Sequence, residues 1–324
     1  MATWLLRRLI QAVFVLLAMT VIVFIGVNVI GNPVDILISP EANQADRIRE
    51  IAALGLDKPM IVQYLTFLKN ALHGDLGLSF VYNEPALTVI LQRLPATMEL
   101  AVSAVLLSII FGIPLGLLAG LYPRAPFTRL IMAGSIVGFS LPTFWVGLVM
   151  IMFFAVHLGW FPSTGRGATV TVLGVPWSFL TWNGLHHLVL PALNLALFNI
   201  ALVLRLTRAG ALEALQTEYV KFARAKGLSP GRVIGVHVLK NILIPIVTVV
   251  GLEFGSTVAF AVVTESIFAW PGTGKLIIDS INHLDRPVIV AYLVIIVLLF
   301  TIINLVVDIV YSVLDPRVRL EGRE

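Results

Sequence analysis

The chain has 324 residues, 58% of them hydrophobic and 12% charged, with a formal charge of +4 and a mean hydropathy of +0.97. A water-soluble domain of this length needs far more polar surface, so the composition excludes one. The absence of cysteine excludes disulfides, thiolate metal sites and a cysteine nucleophile.

A helix crosses a hydrocarbon layer of about 30 Å with roughly 20 apolar residues. Six stretches qualify: about Leu9–Ile30, Thr97–Leu121, Leu130–Leu158, His187–Leu206, Leu239–Thr264 and Pro287–Leu314. Unpaired backbone groups are too costly in lipid, so all six are predicted helices, and the expected fold class is an all-α polytopic membrane protein with six transmembrane helices. The fourth stretch is the weakest, because Asn194 and Asn199 interrupt it and Pro191 lies near its start.

Arg7 and Arg8 precede the first run in the manner of a signal peptide. The run exceeds the usual apolar region of such a peptide and no small-residue cleavage site closes it, so residues 1–30 are expected to be an uncleaved anchor. Residues 31–96 form the one sizeable outer loop. In it, Ser39-Pro40-Glu41 reads as a helix start, with a stop at Gly55. A second helix, Lys58–His73, would place Ile61, Tyr64, Leu65, Leu68 and Leu72 on one face and stop at Gly74. Two short amphipathic helices cannot make a core of their own and are expected on the membrane rim or the bundle top.

Residues 97–314 are the expected five-helix core. Pro114 falls inside the second span and Pro142 inside the third; each removes a backbone donor, either as simple shape adjustment or as a flexing point beside a pathway. Orientation follows from Lys and Arg. With the N-terminus cytoplasmic, inner segments hold 14 of the 22 basic residues, while the two short outer loops hold Arg166, Lys275 and Arg286. Both termini are therefore expected to be cytoplasmic, with 315–324 as a cytosolic tail.

The inner loop 206–240 carries Leu212, Leu215, Tyr219, Phe222 and Ala223 at helical spacing opposite Glu213, Glu218, Lys221 and Arg224. This pattern predicts a short amphipathic helix. Gly227 ends it, and Ser229-Pro230 offers an N-cap and first position for a helix running into the fifth span. The product is a compact protrusion with Ala223, Ala225 and Gly227 at its tip, small enough to admit another protein surface. Alternatively the segment is a surface helix that only supplies inward positive charge.

Chemistry of its own is poorly supported. Gly272-Thr273-Gly274-Lys275 lacks the first glycine and the Ser/Thr of a phosphate-binding loop, since Ala269 and Leu276 stand there, and it faces outward. The six histidines show no metal-ligating spacing, and no nucleophile–base pair is evident in the spans. Among ionisable residues Glu253 stands out, near the middle of the fifth span between Gly251 and Gly255. An acid there costs on the order of 2.5–3.5 kcal/mol unless neutralised or hydrated. A translocation path would supply water and the glycines would give room; a hydrogen-bonded acid between helices fits equally. Glu99 and Glu265, near the outer rim, are expected to be solvated, and Asp308 with Asn304 to bridge helices.

Ala223-x3-Gly227 followed by Ile242-Leu243-Ile244-Pro245 resembles the EAA loop of ABC-importer permeases. Lys221 and Phe222 stand where the general pattern has Glu and Ala, and the interval to Pro245 is longer. Both departures resemble the peptide/nickel branch, as do Tyr219-Val220-x-x-Ala223-Arg224-Ala225-Lys226-Gly227, Leu6-Arg7-Arg8-Leu9, Gly74-Asp75-Leu76-Gly77-x-Ser79, Leu94-Pro95-Ala96-Thr97-x-Glu99-Leu100 and Phe268-Ala269-Trp270-Pro271-Gly272-x-Gly274. The long first outer loop is similar to the B-type member of that branch's permease pair.

The resemblance implies a type I ABC-importer permease fold in a bacterial or archaeal plasma membrane. It implies a second homologous permease in a heterodimer, two cytosolic ATPases, an extracytoplasmic solute-binding protein, and no nucleic acid. ATP and Mg are then expected in the ATPases and no cofactor on this chain. Glu218, Tyr219, Ala223, Arg224, Ala225, Lys226 and Gly227 would couple to the ATPases. Pro142 and Pro245 would kink or gate helices, and Glu253 would line the path. A secondary carrier or channel working alone is the other transport reading, although no inverted repeat supports it. A non-transporting scaffold leaves Glu253 unexplained.

Overall fold

The computed structural model describes residues 2–29 and 57–314. The predicted helix start at Ser39-Pro40-Glu41, its stop at Gly55 and the tail 315–324 lie outside them. The described helices are α1 (Ala2–Val29), α2 (Met60–Leu72), α3 (Ala86–Leu121), α4 (Pro126–Ser140), α5 (Thr143–Met150), α6 (Trp182–Gln216), α7 (Glu218–Ala225), α8 (Pro230–Arg232), α9 (Lys240–Ile267), α10 (Thr273–Asn282) and α11 (Arg286–Leu314). Two π-helical stretches, Ile151–His157 and Val233–Leu239, extend α5 and lead into α9. A small antiparallel hairpin pairs β1 (Val170–Val172) with β2 (Val175–Trp177), Thr171 opposite Pro176.

Four described helical runs are long and apolar enough to cross a membrane: α3, α6, Pro230–Ile267 and Arg286–Val310. The pair α4–α5 makes a fifth if it counts as one span. The first predicted span falls in α1, whose described apolar part, Ile10–Gly26, is shorter than those runs.

Three spans differ from expectation. The second begins at Ala86, ahead of Thr97, so Leu94-Pro95-Ala96-Thr97 lies inside α3. At 36 residues the helix is ~54 Å long and overshoots the hydrocarbon layer. The third is broken: Leu141 and Pro142 separate α4 from α5 with a bend of 109°. Pro142 thus caps a new helix where a kink was expected. Its φ of −59° suits a helix start, and its missing N–H is lost at a position that needs none. Pro114 and Pro245, by contrast, sit inside continuous helices.

The fourth span was expected to be the weakest and is the most buried. The two residues that broke its apolar pattern explain why. Asn194 donates to Thr264 Oγ1 at 3.1 Å and Asn199 to Thr257 Oγ1 at 2.8 Å, both on α9. Such interhelical amide–hydroxyl pairs are favourable in lipid, where the alternative is an unpaired polar group.

Contacts divide the chain into two units, Met1–Leu94 with Gly272–Ile302, and Pro95–Pro271 with Ile303–Glu324. In the first, the Tyr64 hydroxyl of α2 bonds Thr20 of α1 at 2.9 Å, and Phe24 meets the rings of Tyr64 and Phe67. Of the remainder of the face predicted for α2, Leu68 is half-buried and Ile61, Leu65 and Leu72 are exposed. Gly74, at φ +79°, turns the chain after α2.

In the second unit α6 is the central rod. Gly112, Gly116 and Gly120 form one stripe of α3 against it. A Cβ on Gly112 would stand 2.8 Å from Val203, one on Gly120 2.7 Å from Ala211, and one on Gly116 would run into the Leu204 carbonyl oxygen. This small-residue ladder lets the two backbones touch. Beyond it, Leu100 and Ala104 of α3 pack with Leu188, Leu195 and Ala196 of α6 around the buried Trp270.

Candidate functional site

The knob after α6 is built differently from its sequence pattern. The expected amphipathic helix is cut at Thr217, which closes α6 and opens α7. Thr217 is extended (ψ 150°), so the residues on either side of it no longer share one helical face. The buried side of α7 is Val220 and Ala223, at 0% and 4% exposure, packed with Ala211 and Ala214 of α6, Val233 and Val238 of the π stretch, and Ile242 and Ile246 of α9. Ala223 therefore faces inward and does not lie at the tip. Tyr219 and Phe222, assigned by spacing to the apolar face, are exposed at 42% and 61%.

The outward face of α7 is mixed. Lys221 pairs with Glu218 at 2.8 Å, Lys226 sits 4.6 Å from the Phe222 ring centre, and Asn241 donates to the Tyr219 hydroxyl at 2.8 Å. Arg224 and Ala225 are exposed. Gly227 holds φ +77°, a left-handed conformation that favours glycine, and a side chain there would meet nothing within 4 Å. Ser229 and Pro230 take the N-cap and first position of α8, as expected. Of the seven residues proposed for coupling, Glu218, Tyr219, Arg224, Ala225, Lys226 and Gly227 share this exposed surface; Ala223 anchors it from beneath.

Glu253 is half-buried on α9. Its neighbour Gly251 gives no room for a ligand, since a Cβ there would meet Val307 of α11 at 2.9 Å. The glycine serves helix packing.

Three buried carboxylates were missed. Glu99 was expected to be solvated and is 3% exposed. One oxygen accepts from the Ser178 N–H and hydroxyl, both at 2.8 Å, and from the Phe179 N–H at 2.9 Å. The other accepts from Arg166 Nε and Nη2 at 2.9 and 2.5 Å. Arg166 also donates to the Pro176 carbonyl and lies 5.7 Å from the Trp270 ring, while Trp270 donates to the Ala96 carbonyl at 2.9 Å. Two sequence motifs, around Glu99 and around Trp270, thus meet to pin the β1–β2 hairpin. Arg166 is the one charge in its loop, and a single acid near the start of an apolar span was the available signal.

Asp285, fully buried, is the second. It accepts from the Ser79 hydroxyl at 2.5 Å and from the N–H groups of Phe80 and Val81. The Gly74–Ser79 motif is accordingly a clasp: a Cβ on Gly77 would stand 3.3 Å from Pro287, so the glycine lets the chain pass close by, and Ser79 seals onto Asp285. Glu265, also expected to be solvated, is 0% exposed. Among the described residues, no group of three His, Cys, Asp or Glu side chains could hold a metal.

Long apolar spans, a buried central helix and an exposed polar knob wedged between two spans define a multi-pass membrane protein. Two family models agree: "binding-protein-dependent transport system inner membrane component" matches residues 112–320, and the N-terminal model of the same membrane component matches residues 1–101. The chain belongs to this family.

It is 38% identical over 320 residues to the oligopeptide transport system permease AppB of Bacillus subtilis (strain 168), covering 98% of this chain and 99% of that one. Against the di/tripeptide permease DppB of Pseudomonas aeruginosa (strain UCBPP-PA14) identity is 38%, and against the dipeptide permease DppB of Escherichia coli (strain K12) 35%, each over 98% of this chain and 99% of the relative. The methionine ABC transporter MetNI, solved in inward-facing conformations, aligns at TM-score 0.57 with 18% identity, over 72% of this chain and 99% of its own. The fold is that of a type I ABC-importer permease.

Proposed function

We propose that the chain is one of two permease subunits in an ATP-driven importer of peptides. The observation that carries this reading is the near-full-length match to peptide permeases at 35–38% identity. In this reading a binding protein delivers peptide to the outer face. Spans from this chain and a second, different permease enclose the path. Two cytosolic ATPases hold ATP and Mg and drive the cycle, and this chain catalyses nothing itself. The membrane is a bacterial or archaeal plasma membrane, crossed six times, with residues 1–30 as anchor, 31–96 outside and both termini inside. The cysteine-free sequence is a ready background for single-cysteine labelling of that topology.

Coupling runs through residues 212–230. The exposed face of Glu218, Tyr219, Arg224, Ala225, Lys226 and Gly227 meets the ATPase, and Ala223 passes the motion to α6 and α9. Pro142 and Pro245 mark where helices yield. The exposed mixed face of α7 over a buried Val220–Ala223 footing supports this.

Reconstitution of the chain with its companion subunits tests both statements. Peptide uptake should collapse on ATP depletion and survive loss of the proton gradient; the reverse pattern identifies a secondary carrier. Gly227→Val forces a branched residue into a left-handed conformation, a strain of about 1–2 kcal/mol. It should abolish coupled uptake while leaving membrane insertion intact. Normal transport by that variant would remove the docking assignment.

A further inference from the structure

Five acids lie on the described spanning helices α3, α6, α9 and α11, and four are accounted for. Glu99 is saturated by Arg166, Ser178 and Phe179. Glu265 is wholly buried and Asp308 is engaged. Glu213 lies one residue before Ala214, at the α7 end of α6, and is exposed there. Glu253 differs. Among the described residues its carboxylate has no ion-pair or hydrogen-bond partner, although its own carbonyl accepts from Thr257 at 2.7 Å. It sits mid-helix in the 28-residue α9 and is half-buried, so part of it faces out of this chain.

On its inner side the surroundings are mostly apolar, with Ser108 and Asn199 as the polar exceptions. A void of about 10 Å³, room for about one water, lies between α3, α6 and α9, lined by Ser108, Asn199 and Glu253 together with valines and Leu202. Asn199 in turn holds Thr257, which holds the Glu253 carbonyl. The backbone at Glu253 is thereby fixed while its carboxylate stays unclaimed. Facing lipid, such an acid is unfavourable enough to argue for a donor or cation arriving from elsewhere.

We propose that Glu253 is the permease's recognition site for a primary ammonium group, the α-amino terminus of the transported peptide. This rests on the peptide-importer reading. Peptides of any sequence share that cation, and a carboxylate is the one side chain that pairs with it without reading the side chains beyond. A single ion pair of moderate strength also holds cargo without trapping it.

The test uses the assembled permease–ATPase complex in nanodiscs, without binding protein, and measures equilibrium binding of an unblocked dipeptide against its N-acetylated form. In the wild type, acetylation should weaken binding about tenfold to hundredfold, the range of one charge-assisted hydrogen bond. Glu253→Gln should weaken the free-amine peptide to the acetylated level and leave the acetylated peptide unchanged, and Glu253→Asp should retain most of the discrimination. Equal loss for both peptides assigns Glu253 to helix packing or to the second permease, and overturns the proposal. So does indifference to acetylation, or no binding at all, in the wild type. Binding-protein-driven uptake in the same preparation separates the two readings: if uptake proceeds while discrimination is absent, only this inference fails, and if no peptide is taken up, the peptide reading fails as well.

Discussion

Removing the Glu99 carboxylate is the sharpest test of how the outward loop is held. Glu99→Ala deletes the acceptor for five hydrogen bonds at once: three from Ser178 and Phe179, and two from Arg166. The ion-pair side chains are 9% and 1% exposed, so water cannot fully replace the lost partner. Breaking a buried pair from one side costs about 3–5 kcal/mol, because the other charge is left uncompensated. Arg166 keeps the Pro176 carbonyl and the face of the Trp270 ring but no anion, which places the expected loss within that range. Arg166→Met leaves the carboxylate its three other donors and should cost less.

The double variant should fall short of the sum by about 1–3 kcal/mol, the coupling expected of residues in one network. Unfolding in mixed micelles, read by tryptophan fluorescence, gives the totals, and hydrogen exchange at Ser178 and Phe179 gives the local effect. If Glu99→Ala lies within about 1 kcal/mol of wild type and both amides stay protected, the clasp is not what fixes the hairpin.

Other substitutions probe other joints. Gly116→Val should force α3 off α6, with a loss of about 3 kcal/mol or more from backbone collision and sharply reduced yield of folded protein. Leu118→Ala, at an exposed position of the same helix, is the comparison and should fold in normal yield. Ala223→Leu overfills the footing of α7 and should cost about 1–3 kcal/mol in the same unfolding assay. Phe222→Ala should change stability by less than about 0.5 kcal/mol yet lower the uptake obtained per ATP hydrolysed. Asp285→Asn turns one of the two acceptor oxygens into an NH2 group, so it can serve the Phe80 N–H or the Val81 N–H and Ser79 hydroxyl but not both sets. The loss should be about 1–3 kcal/mol, visible as faster exchange at residue 80 or 81.

Much of this architecture was legible because lipid imposes a simple rule on length and polarity. The long apolar runs were found within a few residues at most ends, and Gly227 and Ser229-Pro230 were placed as they occur. Hydropathy failed where polar groups are paired inside. It marked Asn194 and Asn199 as defects of a weak span, whereas they tie the most buried helix to α9. It put Glu99 in water, since a window average cannot see an arginine 67 residues away. Helical spacing failed at Thr217 for another reason: a periodicity read across a break assigns both sides to one face, and so exchanged Tyr219 and Phe222 for Val220. The motifs around Ser79, Glu99 and Trp270 were recognised as patterns, but their work as clasps emerged only from the contacts.

The footing of α7 has a mechanical corollary. Val220 and Ala223 rest on α6 and α9 together, and those two rods are cross-braced at two heights by amide–hydroxyl rungs. A shove on the ring of Phe222 would reach both rods, and the braces resist one sliding past the other. The assembly would swing as a stiff ladder, leaving the 109° elbow at Leu141 and Pro142 as a natural place for bending to collect.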